Sequence, residues 1–164
     1  MREIGTLELS KQQQKLWRKG SLHRDWANRY PELFDEQDIG ILSRTERQRQ
    51  HHFAEWLTAI FLFHSTGFHA LVEKYQFNNH PRKKEVVKRL GAKARRALDA
   101  IPDAEKRRIQ GPDLLMFAPD YSSFFFCEVK GPGDALRGPQ RAMIDRVEAA
   151  TKQEVRLMSF DWNG

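Results

Sequence analysis

Asp113, Glu128 and Lys130 are the residues whose types and spacing could do chemistry. They fall in the stretch Gly111 to Gln140, which reads GPDLLMFAPDYSSFFFCEVKGPGDALRGPQ. Two apolar runs, Leu114 to Ala118 and Phe124 to Lys130, flank the turn-forming Pro119-Asp120-Tyr121-Ser122-Ser123. This pattern predicts two strands joined by a polar turn. Residues two apart on a strand project from the same face, so Glu128 and Lys130 stand about 7 Å apart along it. Antiparallel pairing of the runs sets Asp113 beside Glu128. Two carboxylates are hard oxygen ligands suited to Mg²⁺ or Mn²⁺. Such an ion stabilises charge on a phosphate and lowers the pKa of a water, and a neighbouring ammonium can orient that water. On charge spacing alone, the same residues also describe a surface hairpin carrying an ordinary Glu–Lys pair.

The longer pattern separates these readings. Pro112-Asp113 followed by Glu128-Val129-Lys130 resembles the PD-(D/E)xK nuclease superfamily. The continuation Gly131-Pro132-Gly133-Asp134-Ala135-Leu136, closing on Gln140, resembles the VRR-NUC family of virus-type replication-repair nucleases. One departure is that Gly111 abuts Pro112, where the family often has a residue between. The resemblance implies an α/β fold with a mixed four-stranded sheet flanked by helices, the αβββαβ restriction-endonuclease-like core. It implies that Asp113 and Glu128 bind Mg²⁺ or Mn²⁺ with the Val129 carbonyl as a further ligand. Lys130 then assists the attacking water and Gln140 supports the site. It also implies a metal-dependent endonuclease acting on branched DNA, such as Holliday junctions, in replication, repair or recombination. Small phage and bacterial relatives make a homodimer the expected state.

The superfamily further implies an acidic residue from the first core helix beside the metal. Glu46, Glu55 and Glu73 compete. Glu46 has a local capping role, and Glu73 neighbours Lys74. Glu55 is the only Asp, Glu, Lys or Arg between Arg49 and Glu73. Its neighbours four and seven residues on, Ala59 and Leu62, offer no cation, and a buried carboxylate is costly unless paired or metal-bound. A metal, a water or a distant lysine (Lys130 or Lys74) must therefore compensate it, and Glu55 is taken as a metal-site residue.

Composition bounds the rest. A chain of 164 residues, 40% apolar, with 11 Phe and 4 Trp, can bury one proper core. No apolar run reaches the ~18–20 residues of a membrane span. No cleavable leader follows Met1, and the lone Cys127 suits a reducing, cytoplasmic setting. The net charge is +6, but residues 82–110 hold eleven Lys/Arg against four Asp/Glu, which leaves the remainder near neutral. A localised basic segment is what phosphate binding requires, although such runs also form solvated helix faces. Lys83, Lys84, Lys88, Arg89, Lys93, Arg95, Arg96, Arg107 and Arg108 are the candidate DNA contacts.

These residues need elements to hold them. Residues 1–42 read as a helical N-terminal extension, with a helix over Leu7 to Lys19, a stop at Gly20 and a break at Pro31. Trp26, Tyr30 and Phe34 could stack on bases but fit packing better. Residues 43–164 read as the nuclease domain, with a basic insertion at 82–110. Ser43-Arg44-Thr45-Glu46 predicts a capping box opening a helix to about His64. A strand follows over Phe68 to Phe77, then a turn at Asn78-Asn79-His80-Pro81. A basic helix is expected over Lys83 to Ala100, a further helix over Gly138 to Lys152 with Ala142 on its buried side, and a closing strand over Val155 to Trp162. Neighbouring His51 and His52 diverge on a helix and make a poor metal pair. Two other functions fit the composition: a non-catalytic nucleic-acid-binding accessory protein and a restriction-type nuclease. Intact Asp113, Glu128 and Lys130 argue against the first, and the lack of a separate recognition domain argues against the second.

Overall fold

The computed structural model describes residues 1–72, 81–101 and 111–162, apart from the side chains at 48, 50 and 51. Along the chain run β1 (Arg2–Leu9), α1 (Lys11–Lys19), α2 (Leu22–Arg29), α3 (Glu36–Ser43), α4 (Glu46–Thr66), β2 (His69–Leu71), α5 (Pro81–Leu90), α6 (Ala92–Ala100), β3 (Leu114–Phe117), β4 (Phe124–Lys130), α7 (Gly138–Thr151) and β5 (Arg156–Trp162). The strands form one mixed sheet in the order β1-β5-β4-β3-β2. β5 runs parallel to both β1 and β4, while β3 is antiparallel to both β4 and β2.

Every residue of β3 is buried, as are the first six of β4. This is why both read as nearly continuous apolar runs. Strand alternation divides them between two cores. Leu114, Met116, Phe125, Cys127 and Val129 face a cluster built with Trp17, Trp26, Phe53 and Trp56. Leu115, Phe117, Phe124 and Phe126 face a second cluster with Val86, Ala97, Met143 and Val147. The sheet is thus covered by helices on both faces, and β4 lies in its middle.

Within residues 1–42, the helices α1 to α3 join this body through α4. Trp56 stacks on Phe34 at 3.6 Å between ring centroids, and Trp17 packs edge-on against Trp56. The Trp17 indole donates to the Arg49 carbonyl. The Arg49 guanidinium donates to the carbonyls of Arg18 at 2.9 Å and Leu42 at 3.0 Å. One cation on α4 thereby satisfies carbonyls at the ends of α1 and α3, which helices otherwise leave unpaired.

Several expectations are corrected. Among the described residues the sheet has five strands, not four, and the N-terminal extension is not wholly helical, because β1 forms an edge of the sheet. Its partner β5 is remote in sequence, and a bulge between Glu3 and Gly5 breaks the alternation that marks a strand. Helix α1 starts only at Lys11, where the Ser10 hydroxyl accepts from the Gln13 amide at 3.3 Å. The capping box belongs to Asp35 and Asp38 at α3. Ser43 instead ends α3, and its hydroxyl meets His23 Nε2 at 3.3 Å. The basic helix is two helices, broken at Gly91, whose φ of +81° suits glycine. On α7, Ala142 is exposed, while Met143, Ile144, Val147 and Thr151 are buried. Glu73, Lys74 and the turn over Asn78 to His80 lie outside the described residues. Among those described, no helix is long and apolar enough to cross a membrane.

Candidate active site

The site is built at the end of the central hairpin. Leu114 pairs with Cys127, so the residue before Leu114 comes opposite Glu128. Asp113 Oδ2 accepts from the Val129 amide at 2.7 Å, which pins its carboxyl to the neighbouring strand. Glu128 is 2% exposed. Its Oε1 lies 2.7 Å from Lys130 Nζ, the next side chain on that face of β4.

Gln140 closes the group from α7. Its Nε2 donates to Glu128 Oε1 at 3.3 Å, and its Oε1 accepts from Lys130 Nζ at 3.4 Å. The same Oε1 accepts from the Arg137 amide at 3.2 Å. Gln140 is therefore also the third residue of α7 reaching back to the N-cap Arg137, and the local rule that starts the helix fixes where its amide sits. Pro139 in the first turn lacks the amide hydrogen that this turn would leave unpaired.

The electrostatics are unbalanced. Burial raises the Asp113 pKa well above the usual carboxylate value, and the carboxylates of Glu128 and Glu55 raise it further. Burial also raises Glu128, against the opposing pull of Lys130. Two buried carboxylates thus face one lysine, with a third carboxylate near enough to act on Asp113. The Cys127 thiol is pushed up by burial, which makes it a core residue rather than a nucleophile.

Glu55 acts on Asp113 through its charge. Its Oε2 lies 2.7 Å from His52 Nδ1, so its own helix does supply a partner, three residues earlier rather than four or seven later. Among the described residues no three carboxylate, imidazole or thiol groups stand close enough to hold a metal as they lie. The donor chemistry of Asp113 and Glu128 nevertheless fits a hard divalent cation, because two acidic groups whose burial disfavours their charged forms are relieved by one.

Beside the hairpin end opens a cleft of about 260 Å³. Glu55 and Val129 line it on the hairpin side. Gly131, Pro132 and Asp134 line it from the loop after β4, and Leu9, Gln14 and Trp162 from the outer strands and α1.

The basic segment divides. Lys84, Lys88, Arg95 and Arg96 are exposed and Lys93 is half-buried. Arg89 is exposed and stacks on the Tyr121 ring at 3.9 Å. Arg107 and Arg108 lie outside the described residues. Lys83 is a correction: it is 1% exposed, with its ammonium 3.2 Å from Asp38 Oδ1 and donating to the Val72 carbonyl. A buried cation already paired cannot reach a phosphate. Its spacing from Val86 and Leu90 would have placed it on the apolar face of α5. Arg82 is likewise structural, donating to the carbonyls of Leu33 and Ala70.

Compared with known proteins, the chain is similar to the VRR-NUC domain family over residues 45–158. No curated protein matches it. It is also similar to a crystal structure of paFAN1 bound to 2nt 5′ flap DNA with gap, at 19% identity and a TM-score of 0.41. That likeness covers 78% of this chain and 24% of the other.

Proposed function

Because the chain belongs to the VRR-NUC domain family, we propose that it is a divalent-metal-dependent endonuclease hydrolysing phosphodiester bonds in branched or junction DNA. One observation carries the reading: Asp113, Glu128, Lys130 and Gln140 converge at one hairpin end, with more buried carboxylate than the lysine can neutralise. In this reading Asp113, Glu128 and the Val129 carbonyl hold Mg²⁺ or Mn²⁺, with Glu55 supporting the ion from α4. The bound ion supplies charge stabilisation on the phosphate and a more acidic water. Lys130 donates to and orients the attacking water. Gln140 keeps Lys130 and Glu128 in register, so that neither reorganises as charge develops. The exposed Lys and Arg of α5 and α6 contact phosphates along the flanking duplex, and the chain acts as a homodimer.

The test is cleavage of duplex, flap and four-way-junction DNA in parallel, with Mg²⁺, with Mn²⁺ and with chelator. Metal-dependent cutting that favours the branched substrates supports the reading. Binding without cutting in any metal would leave a nucleic-acid-binding protein instead.

A further inference from the structure

Parts of the cleft lie outside the family match at residues 45–158. Leu9 and Trp162 are register partners at the ends of β1 and β5, and Gln14 follows on α1. These three line the cleft together with Glu55 and Val129. Leu9 is 3% exposed, whereas Trp162 is 41% exposed. Of the large apolar side chains left exposed among the described residues, Leu16, Phe61 and Trp162, Trp162 lines this cleft and the other two do not.

We propose that the cleft takes an unpaired nucleobase of the strand being cut, stacked on the Trp162 indole. Charge decides which part of a nucleotide enters. Glu55 and Asp134 line the cleft, and none of its described lining residues is Lys or Arg. At the end of the cleft away from the hairpin, a phosphodiester would meet the Asp134 carboxylate and no cation. A base carries N–H donors on its edge, from which carboxylates and the Gln14 carbonyl accept. Its flat face suits an exposed indole beside Leu9 and Phe53. A cleft of about 260 Å³ has room for a single base. Val129 and Glu55 border both the cleft and the carboxylates at the hairpin end. The base therefore belongs to a nucleotide flanking the scissile phosphate. The elements outside the family match thus select strands with an unpaired nucleotide at the cut.

This inference rests on the nuclease reading for the identity of the partner, and the experiment keeps the two apart. The full chain, without divalent cation, is titrated with two hairpin DNAs carrying 2-aminopurine either in an unpaired stretch or within the duplex. With the wild type, the unpaired probe should be quenched and should bind more tightly than the paired one. Trp162→Ala should abolish the quenching and cut the preference for unpaired over paired DNA roughly tenfold. Trp162→Phe, which keeps an aromatic face, should retain both. Unquenched probe on the wild type, or unchanged preference and quenching in Trp162→Ala, overturns the proposal. Quenching by a protein that cuts nothing in Mg²⁺ or Mn²⁺ overturns the nuclease reading while the base pocket stands.

Discussion

The hairpin end and the joint between α3 and α5 each bury a carboxylate against a lysine. At the hairpin end, Glu128 lies 2.7 Å from Lys130, with Asp113 alongside and Glu55 adding its field. At the joint, Asp38 lies 3.2 Å from Lys83, and the two side chains are 0% and 1% exposed. Asp38 also accepts from the Asp35 amide, and Lys83 also donates to the Val72 carbonyl. At the joint each carboxylate has its own cation, Asp38 with Lys83 and the neighbouring Asp35 with Arg82. The hairpin end has negative charge to spare and a cleft beside it. A buried ion pair alone is therefore no sign of chemistry. Surplus buried charge next to an opening is a functional signal.

Breaking the two lysines should separate their roles. Lys130→Ala should keep fold and DNA binding but lower single-turnover cleavage by roughly 10²–10³-fold, the usual cost of removing a preorganised donor. Lys83→Ala should do the reverse. It strands Asp38 in the core and should cost about 3–5 kcal/mol of stability, read by denaturant unfolding, with cutting per folded molecule little changed. A Lys83 variant that unfolds normally but binds DNA poorly would return that residue to the interface.

The same contrast separates what is legible in the sequence from what is not. The hairpin is legible because turn residues, apolar runs and the Glu-x-Lys spacing are all local. They place β4 and set Asp113 opposite Glu128. Lys83 reads as a DNA contact when charge is put ahead of position on the helix, although Val86 and Leu90 mark the buried face it shares. The His52 partner of Glu55 lies three residues upstream, whereas the spacings of four and seven downstream hold no cation. β1 escapes for a different reason: an edge strand is defined by its partner, and no local signal tells Arg2 that Arg156 will lie beside it.

The two sites also differ in how pH and metal act on them. Burial raises the Asp38 pKa from 3.8 to about 7. A carboxyl that holds its proton more tightly in the folded state stabilises that state while protonated. Its contribution is full below the unfolded value and lost as pH rises through about 7. Asp38→Asn should flatten that fall in Tm. Asp113 and Glu128 are raised in the same direction, so they too make the metal-free protein less stable as pH rises. Mn²⁺ should restore their share and leave that of Asp38.

Glu55→Gln sharpens the comparison within the site. It keeps shape, removes one charge from the field on Asp113, and should lower metal-dependent cleavage about tenfold, equivalent to ~1.4 kcal/mol. Tm should barely move, since the contact with His52 is partly exposed. Replacing Lys93, Arg95 and Arg96 by Ala should have the mildest effect. It should weaken all duplexes alike and flatten the salt dependence of binding by roughly 0.9 in log–log slope for each phosphate no longer neutralised. An unchanged slope would move the interface off α6.

Calorimetric titration of Mn²⁺ into the wild type, Asp113→Asn and Asp38→Asn at neutral pH tests most directly whether the surplus carboxylate at the hairpin end is a metal site. If it is, the wild type and Asp38→Asn bind the ion and Asp113→Asn does not. Equal binding by Asp113→Asn, or loss of binding in Asp38→Asn alone, would contradict it.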